Sequence, residues 1–139
     1  MKLTTCLHQF FSNYLPHIKG VSPHTIRGYR DAFTLFIPFA ANRLRIKTGS
    51  LMLDHLTPDM VLAFLADLEK NRQNAPVTRN HRLAAIKSLA KMIRFMHPEK
   101  KEVVEKILAI PQKRYQRKLI GFLYPDEILK VMQSVDLYP

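Results

Sequence analysis

A chain of 139 residues, 47% of them apolar, is long enough for one folded domain plus a short extra segment and too apolar to be wholly disordered. Lys and Arg number 22 against 11 Asp and Glu, a net charge of +11, which asks for an anionic partner. The single cysteine, Cys6, excludes an intrachain disulfide, and no uncharged stretch reaches the roughly 20 residues that span a bilayer. His8, Gln9, Ser12 and Asn13 interrupt the first apolar run, which therefore does not read as a signal peptide. The expected setting is the cytoplasm.

Apolar residues recur at spacings of three and four, and strand-like alternation is hard to find, so the expected fold is all-α. Leu3, Leu7, Phe10, Phe11 and Leu15 predict a first helix that ends at Pro16. Ser22 and Pro23 are a cap and a first-turn proline for a second helix, with Ile26, Tyr29, Phe33, Phe36 or Ile37, Ala40 and Leu44 inward and a bend at Pro38. Lys47 to Asp54 reads as a loop. Thr57, Pro58 and Asp59 repeat the start signal for a third helix, striped by Met60, Val61, Phe64, Leu65 and Leu68 and running to about Lys70. The fourth helix opens near Pro76 to Thr78, carries Leu83, Ile86, Leu89, Ala90 and Ile93 inward, and ends at His97 and Pro98. A fifth helix spans about Glu99 to Leu108, with Val103, Val104, Ile107 and Leu108 inward. Pro111 to Lys118 holds four bases and no acid and predicts an extended linker. Beyond it, Tyr124 to Glu127 starts a short last helix through Ile128, Leu129, Met132 and Val135. The expected organisation is a compact bundle of four to five helices over 1–110, a basic linker over 111–121, and the start of a second domain over 122–139.

The charge is uneven. Arg72 to Pro98 holds six bases and no acid, whereas Asp54 to Asn71 holds four acids against Lys70. Thr25, Arg27 and Arg30 lie just outside the apolar stripe of the second helix. On the fourth, Asn80, Lys87, Lys91 and Arg94 are expected on the outer face, with Arg79 and Arg82 at its flank. Arg forks and small polar groups near helix starts suit phosphate oxygens and guanine edges. The competing reading is an ordinary solvated face. None of the six histidines pairs with another His or with Cys6 at metal-ligand spacing, so no metal is expected. Four scattered glycines cannot build a phosphate loop, and Cys6 is more simply a small core residue than a nucleophile. Nothing in these residues supports an autonomous enzyme.

Ser22 to Phe33, followed by Phe36, resembles the opening of the core-binding domain of the tyrosine recombinase (phage integrase) family. Leu56 to Leu65 is similar to its third-helix segment, and Thr78 to Leu89 to its fourth-helix motif. Val104 to Arg114 looks like the run into the linker of integrase-like transposases carried on mobile elements. Phe122 to Ile128 resembles the first turn of the family's catalytic domain. The resemblance covers nearly the whole chain, and its specificity lies in the ordered set rather than in one motif.

The resemblance implies cleavage of DNA by a tyrosine through a 3′-phosphotyrosyl link, then strand exchange, with no cofactor, metal or ATP. The family's catalytic Arg, Lys and His residues and its nucleophilic Tyr have no counterpart here, and Tyr138 does not match that nucleophile. The chain is thus expected to be the leading part of a longer recombinase, partnered by double-stranded DNA and by other protomers, and nucleoid-associated. DNA contacts are expected at Thr25, Arg27, Arg30, Arg79, Asn80, Arg82, Lys87 and Lys91, with Lys113, Arg114, Arg117 and Lys118 tracking phosphates along the linker. A basic helical RNA-binding protein and a module for an acidic protein partner are the rival readings.

Overall fold

The computed structural model describes residues 1–114, and within them the fold is all-α. Helix α1 is Leu3–Gln9 and continues without a break as a π-helical segment, Phe10–Lys19. Helix α2 is Pro23–Leu44, α3 is Pro58–Asn71, α4 is Pro76–Met96, and α5 is Lys101–Leu108. Single 3-10 turns lie at Thr48–Ser50, Leu53–His55 and Pro98–Lys100. The proposed last helix, with the boundaries at 121 and 122, lies outside the described residues.

The start signals work as their chemistry dictates. The Ser22 hydroxyl accepts from the Thr25 N–H at 3.3 Å, and the Thr57 hydroxyl accepts from the Met60 N–H at 3.1 Å. Both helices, like α4, then begin on proline, whose missing N–H costs nothing there.

The first helix departs from expectation at Pro16. A proline ring in an α-helix collides with the carbonyl four residues back and removes that hydrogen bond. Here the winding has already widened to the i→i+5 pattern, and the segment runs on to Lys19. Gly20 closes it at φ 69°, a left-handed conformation suited to glycine. The wider turn keeps the first helix's aromatics on α2. Phe10 stacks on Tyr29 at 6.1 Å, and Phe10 and Phe11 meet Phe33 edge-on at 5.9 and 6.1 Å.

Helix α4 is the centre of the bundle. Ala85, Ser88 and Met92 are buried beside the expected Leu83, Ile86, Leu89, Ala90 and Ile93, so apolar neighbours surround most of its circumference. The α3 stripe is buried as expected, and Phe64 packs edge-on against Phe36 at 5.1 Å. Val104, Ile107 and Ile110 seal α5 against the bundle, and Cys6 is a fully buried core residue.

Two core assignments need correction. Leu44 is 37% exposed; Ala41 is buried near that end of α2 instead. The segment expected as a plain loop buries Leu51 and Leu53, followed by Leu56. A short antiparallel pairing holds it, with the Leu3 N–H donating to the Leu51 carbonyl and the Leu53 N–H to the Met1 carbonyl. Backbone pairing between the first residues and this loop has no periodic signature in the sequence.

Candidate nucleic-acid interface

Arg27 and Arg30 project from the first turns of α2 and are exposed, as expected. Thr25 beside them is half-buried, and its hydroxyl accepts from Ser22 Oγ at 3.1 Å, which ties it to the cap.

On α4 the expected basic face divides. Arg82 and Lys91 are nine residues apart, about two and a half turns, and so leave the helix on opposite sides. Lys91 is exposed and Lys87, one turn before it, is half-buried. Burial, and then the neighbouring Lys91 charge, push the Lys87 ammonium below the usual lysine range. Among the described residues no carboxylate pairs with Arg27, Arg30, Lys87 or Lys91. Arg94 faces Glu105 at 3.7 Å, and both side chains are 44% exposed, so that pair contributes little.

Arg79 and Asn80 require the main correction. Asn80, expected on the outer face, is buried, and its amide clips the chain that follows α5. Its Nδ2 donates to the Lys113 carbonyl at 2.7 Å, and its Oδ1 accepts from the Lys113 N–H at 2.8 Å. One side chain thus satisfies both backbone groups of a residue 33 positions away. Arg79, only 9% exposed, turns toward α3, with its Nε 2.9 Å from Glu69 Oε1. That N–H is poorly aligned on the oxygen, so the contact acts as a close ion pair more than as a hydrogen bond. The Lys113 ammonium donates to the other Glu69 oxygen.

Glu69 therefore bridges α4 and the linker start. The Lys113 hydrogen bond foremost, with the Lys113 and Arg79 charges, holds its carboxyl below the usual carboxylate range against the cost of desolvation. Lys113, expected in a free linker, is seated. Arg82 lies one turn beyond Arg79, half-buried, with its Nε lacking an acceptor. Arg114 has an exposed side chain, and Arg117 and Lys118 lie outside the described residues. The sequence could not reveal Glu69, because its partners stand 10 and 44 residues away on other elements.

Among the described residues no group of His, Cys, Asp and Glu could hold a metal ion, and no helix is long and apolar enough to cross a membrane.

Comparison with known proteins identifies the family. Residues 8–94 match the family described as phage integrase, N-terminal SAM-like domain. Two proteins of Sinorhizobium fredii (strain NBRC 101917 / NGR234) are similar over nearly the whole chain. "Putative integrase/recombinase y4rC" is 38% identical over 135 residues, 96% of this chain and 40% of its own length. "Putative integrase/recombinase y4rD" is 41% identical over 132 residues, 95% of this chain and 47% of its own length. The chain thus spans less than half the length of either relative. No solved structure matches it.

Proposed function

We infer the function from one premise: the chain belongs to the phage integrase family, in its N-terminal SAM-like domain. In our reading this domain, over 1–110, grips duplex DNA for a site-specific recombinase, the basic run of 111–121 leads along the groove, and 122–139 begins the catalytic domain. The observation that carries the reading is that, among the described residues, no carboxylate pairs with Arg27 and Arg30 on α2 or with Lys87 and Lys91 on α4. An ammonium pushed down by burial and by a like charge gains from an incoming phosphate, which relieves the repulsion at no cost in protein contacts. Arg82, with its unused Nε, and Thr25 are candidates for closer contacts, and Arg114, Arg117 and Lys118 for phosphates along the linker.

Strand cleavage and exchange by a tyrosine, other protomers, and a nucleoid-associated, cytoplasmic setting belong to the same proposal for the whole recombinase. The polypeptide of 139 residues should bind without forming a covalent adduct through any tyrosine. A mobility-shift titration of duplex DNA against RNA at two salt concentrations tests the reading. Binding to duplex should be roughly micromolar and fall steeply with salt. Preference for RNA, or an affinity indifferent to salt, would overturn it.

A further inference from the structure

We propose that the Glu69 carboxylate sits in the seat of a DNA phosphate, and that a bound duplex takes Arg79 and Lys113 over from it. The inference rests on the duplex-binding reading above and adds to it an internal competitor.

Three observations carry it. The first is the match of donors to acceptors around Glu69. Glu69 is the carboxylate shared by Arg79 and Lys113, yet the Arg79 Nε–H is poorly directed at its oxygen and the Arg79 Nη1 donates to Asn80 Oδ1 at 3.3 Å instead. A guanidinium offers five donors in a planar fork that matches phosphate as well as carboxylate. A DNA phosphodiester has two anionic oxygens, as a carboxylate has, but sets them in a tetrahedral array and wider apart, so it meets donors from directions that a planar carboxylate leaves unmet.

The second is that the seat does not depend on Glu69. Lys113 is positioned through its backbone by the two Asn80 hydrogen bonds, and Arg79 by its burial on α4. Withdrawing the carboxylate leaves both cations near their present positions. The third is access. The side chains of Glu69 and Lys113 are 26% and 49% exposed, so the bridge lies at the surface, where a strand backbone can reach it. A purely structural ion pair would predict the reverse outcome, since breaking it would loosen the fold and weaken any binding organised by it.

The test is Glu69→Gln in the full chain, measured by fluorescence anisotropy on random-sequence duplex DNA at low and moderate salt. Freeing about one net cation should tighten binding roughly five- to tenfold near ~0.1 M salt and steepen the log–log salt slope by about one unit. In a Lys113→Met background the same substitution frees Arg79 alone, so the gain should be smaller than in the wild-type background. Should Glu69→Gln lose helix content, Glu69→Asp, which retracts the carboxylate by one methylene, should still tighten binding by a smaller factor. Unchanged or weaker binding by the folded Gln or Asp variant overturns the proposal. A wild-type chain that fails to bind duplex at low salt, or that binds it unchanged after Arg27→Ala and Arg30→Ala, overturns the duplex-binding reading itself.

Discussion

Replacing Asn80 by Ala isolates the clip between α4 and the linker. The substitution removes two hydrogen bonds, of 2.7 and 2.8 Å, to the backbone of Lys113, and a longer one, of 3.3 Å, from Arg79 Nη1. A net value of about 1 kcal/mol for each of the two short bonds gives about 2 kcal/mol, because the freed backbone groups of Lys113 can turn to water. For a domain of this size about 1 kcal/mol corresponds to roughly 4 °C, so the midpoint should fall by up to about 8 °C. Melting followed by circular dichroism measures that fall. Amide exchange at Lys113 locates it, because the N–H that now donates to Asn80 Oδ1 should lose protection while the amides of the α4 core keep theirs. Unchanged exchange at Lys113 in Asn80→Ala would refute the reasoning, since it would mean that the clip is not closed in solution.

Three further outcomes follow from the same geometry. Gly28 is an exposed glycine inside α2 where an added Cβ meets nothing within 4 Å, so Gly28→Ala should raise stability by about 0.5–1 kcal/mol, read as a higher melting point. The Glu69 carboxyl, facing Arg79 from α4 and Lys113 from the linker, has a lowered folded-state value. Its contribution is therefore complete above the ordinary carboxylate pKa of about 4.3 and is lost as pH falls through the lower folded value; the acid side of a pH–melting profile should show this loss in wild type and a smaller one in Glu69→Gln. Lys87 is lowered for the opposite reason, its charge being disfavoured by burial, so Lys87→Met should leave the melting point at neutral pH unchanged or higher. The same variant should weaken duplex binding and flatten the salt slope by about one unit, as anisotropy titrations would show.

The elements were legible wherever a local rule decided them. Ser22 with Pro23, and Thr57 with Pro58, mark helix starts by chemistry confined to four residues, and the α3 stripe from Met60 to Leu68 is buried as its spacing dictates. Errors entered where the local rule met a non-local contact. Pro16 signals a stop in an α-helix, but a π-wound segment that packs Phe10 and Phe11 onto Phe33 has no such stop. Leu51 and Leu53 stand in a stretch with Gly49 and Ser50 that reads as surface, and are drawn inward by pairing with the chain's first residues.

The candidate interface shows the same limit in its charges. An acid-free run such as Arg72 to Pro98 looks like one basic face only if the helix has a single buried side. Helix α4 is instead enclosed on most of its circumference, so its bases emerge wherever the neighbours leave a gap. Lys87 and Lys91 leave one side; Arg79 reaches toward another, where Glu69 of α3 meets the linker. The acid that a run of bases lacks along the sequence can thus be supplied in space by another helix. A count of charges along one helix measures its attraction for phosphate only after such partners are subtracted. Here the subtraction removes Arg79 and Lys113 from the expected contacts and leaves Arg27, Arg30, Arg82, Lys87 and Lys91 without a carboxylate among the described residues; the duplex-binding reading rests on the exposed or half-buried members of that group, and the competition reading on Glu69.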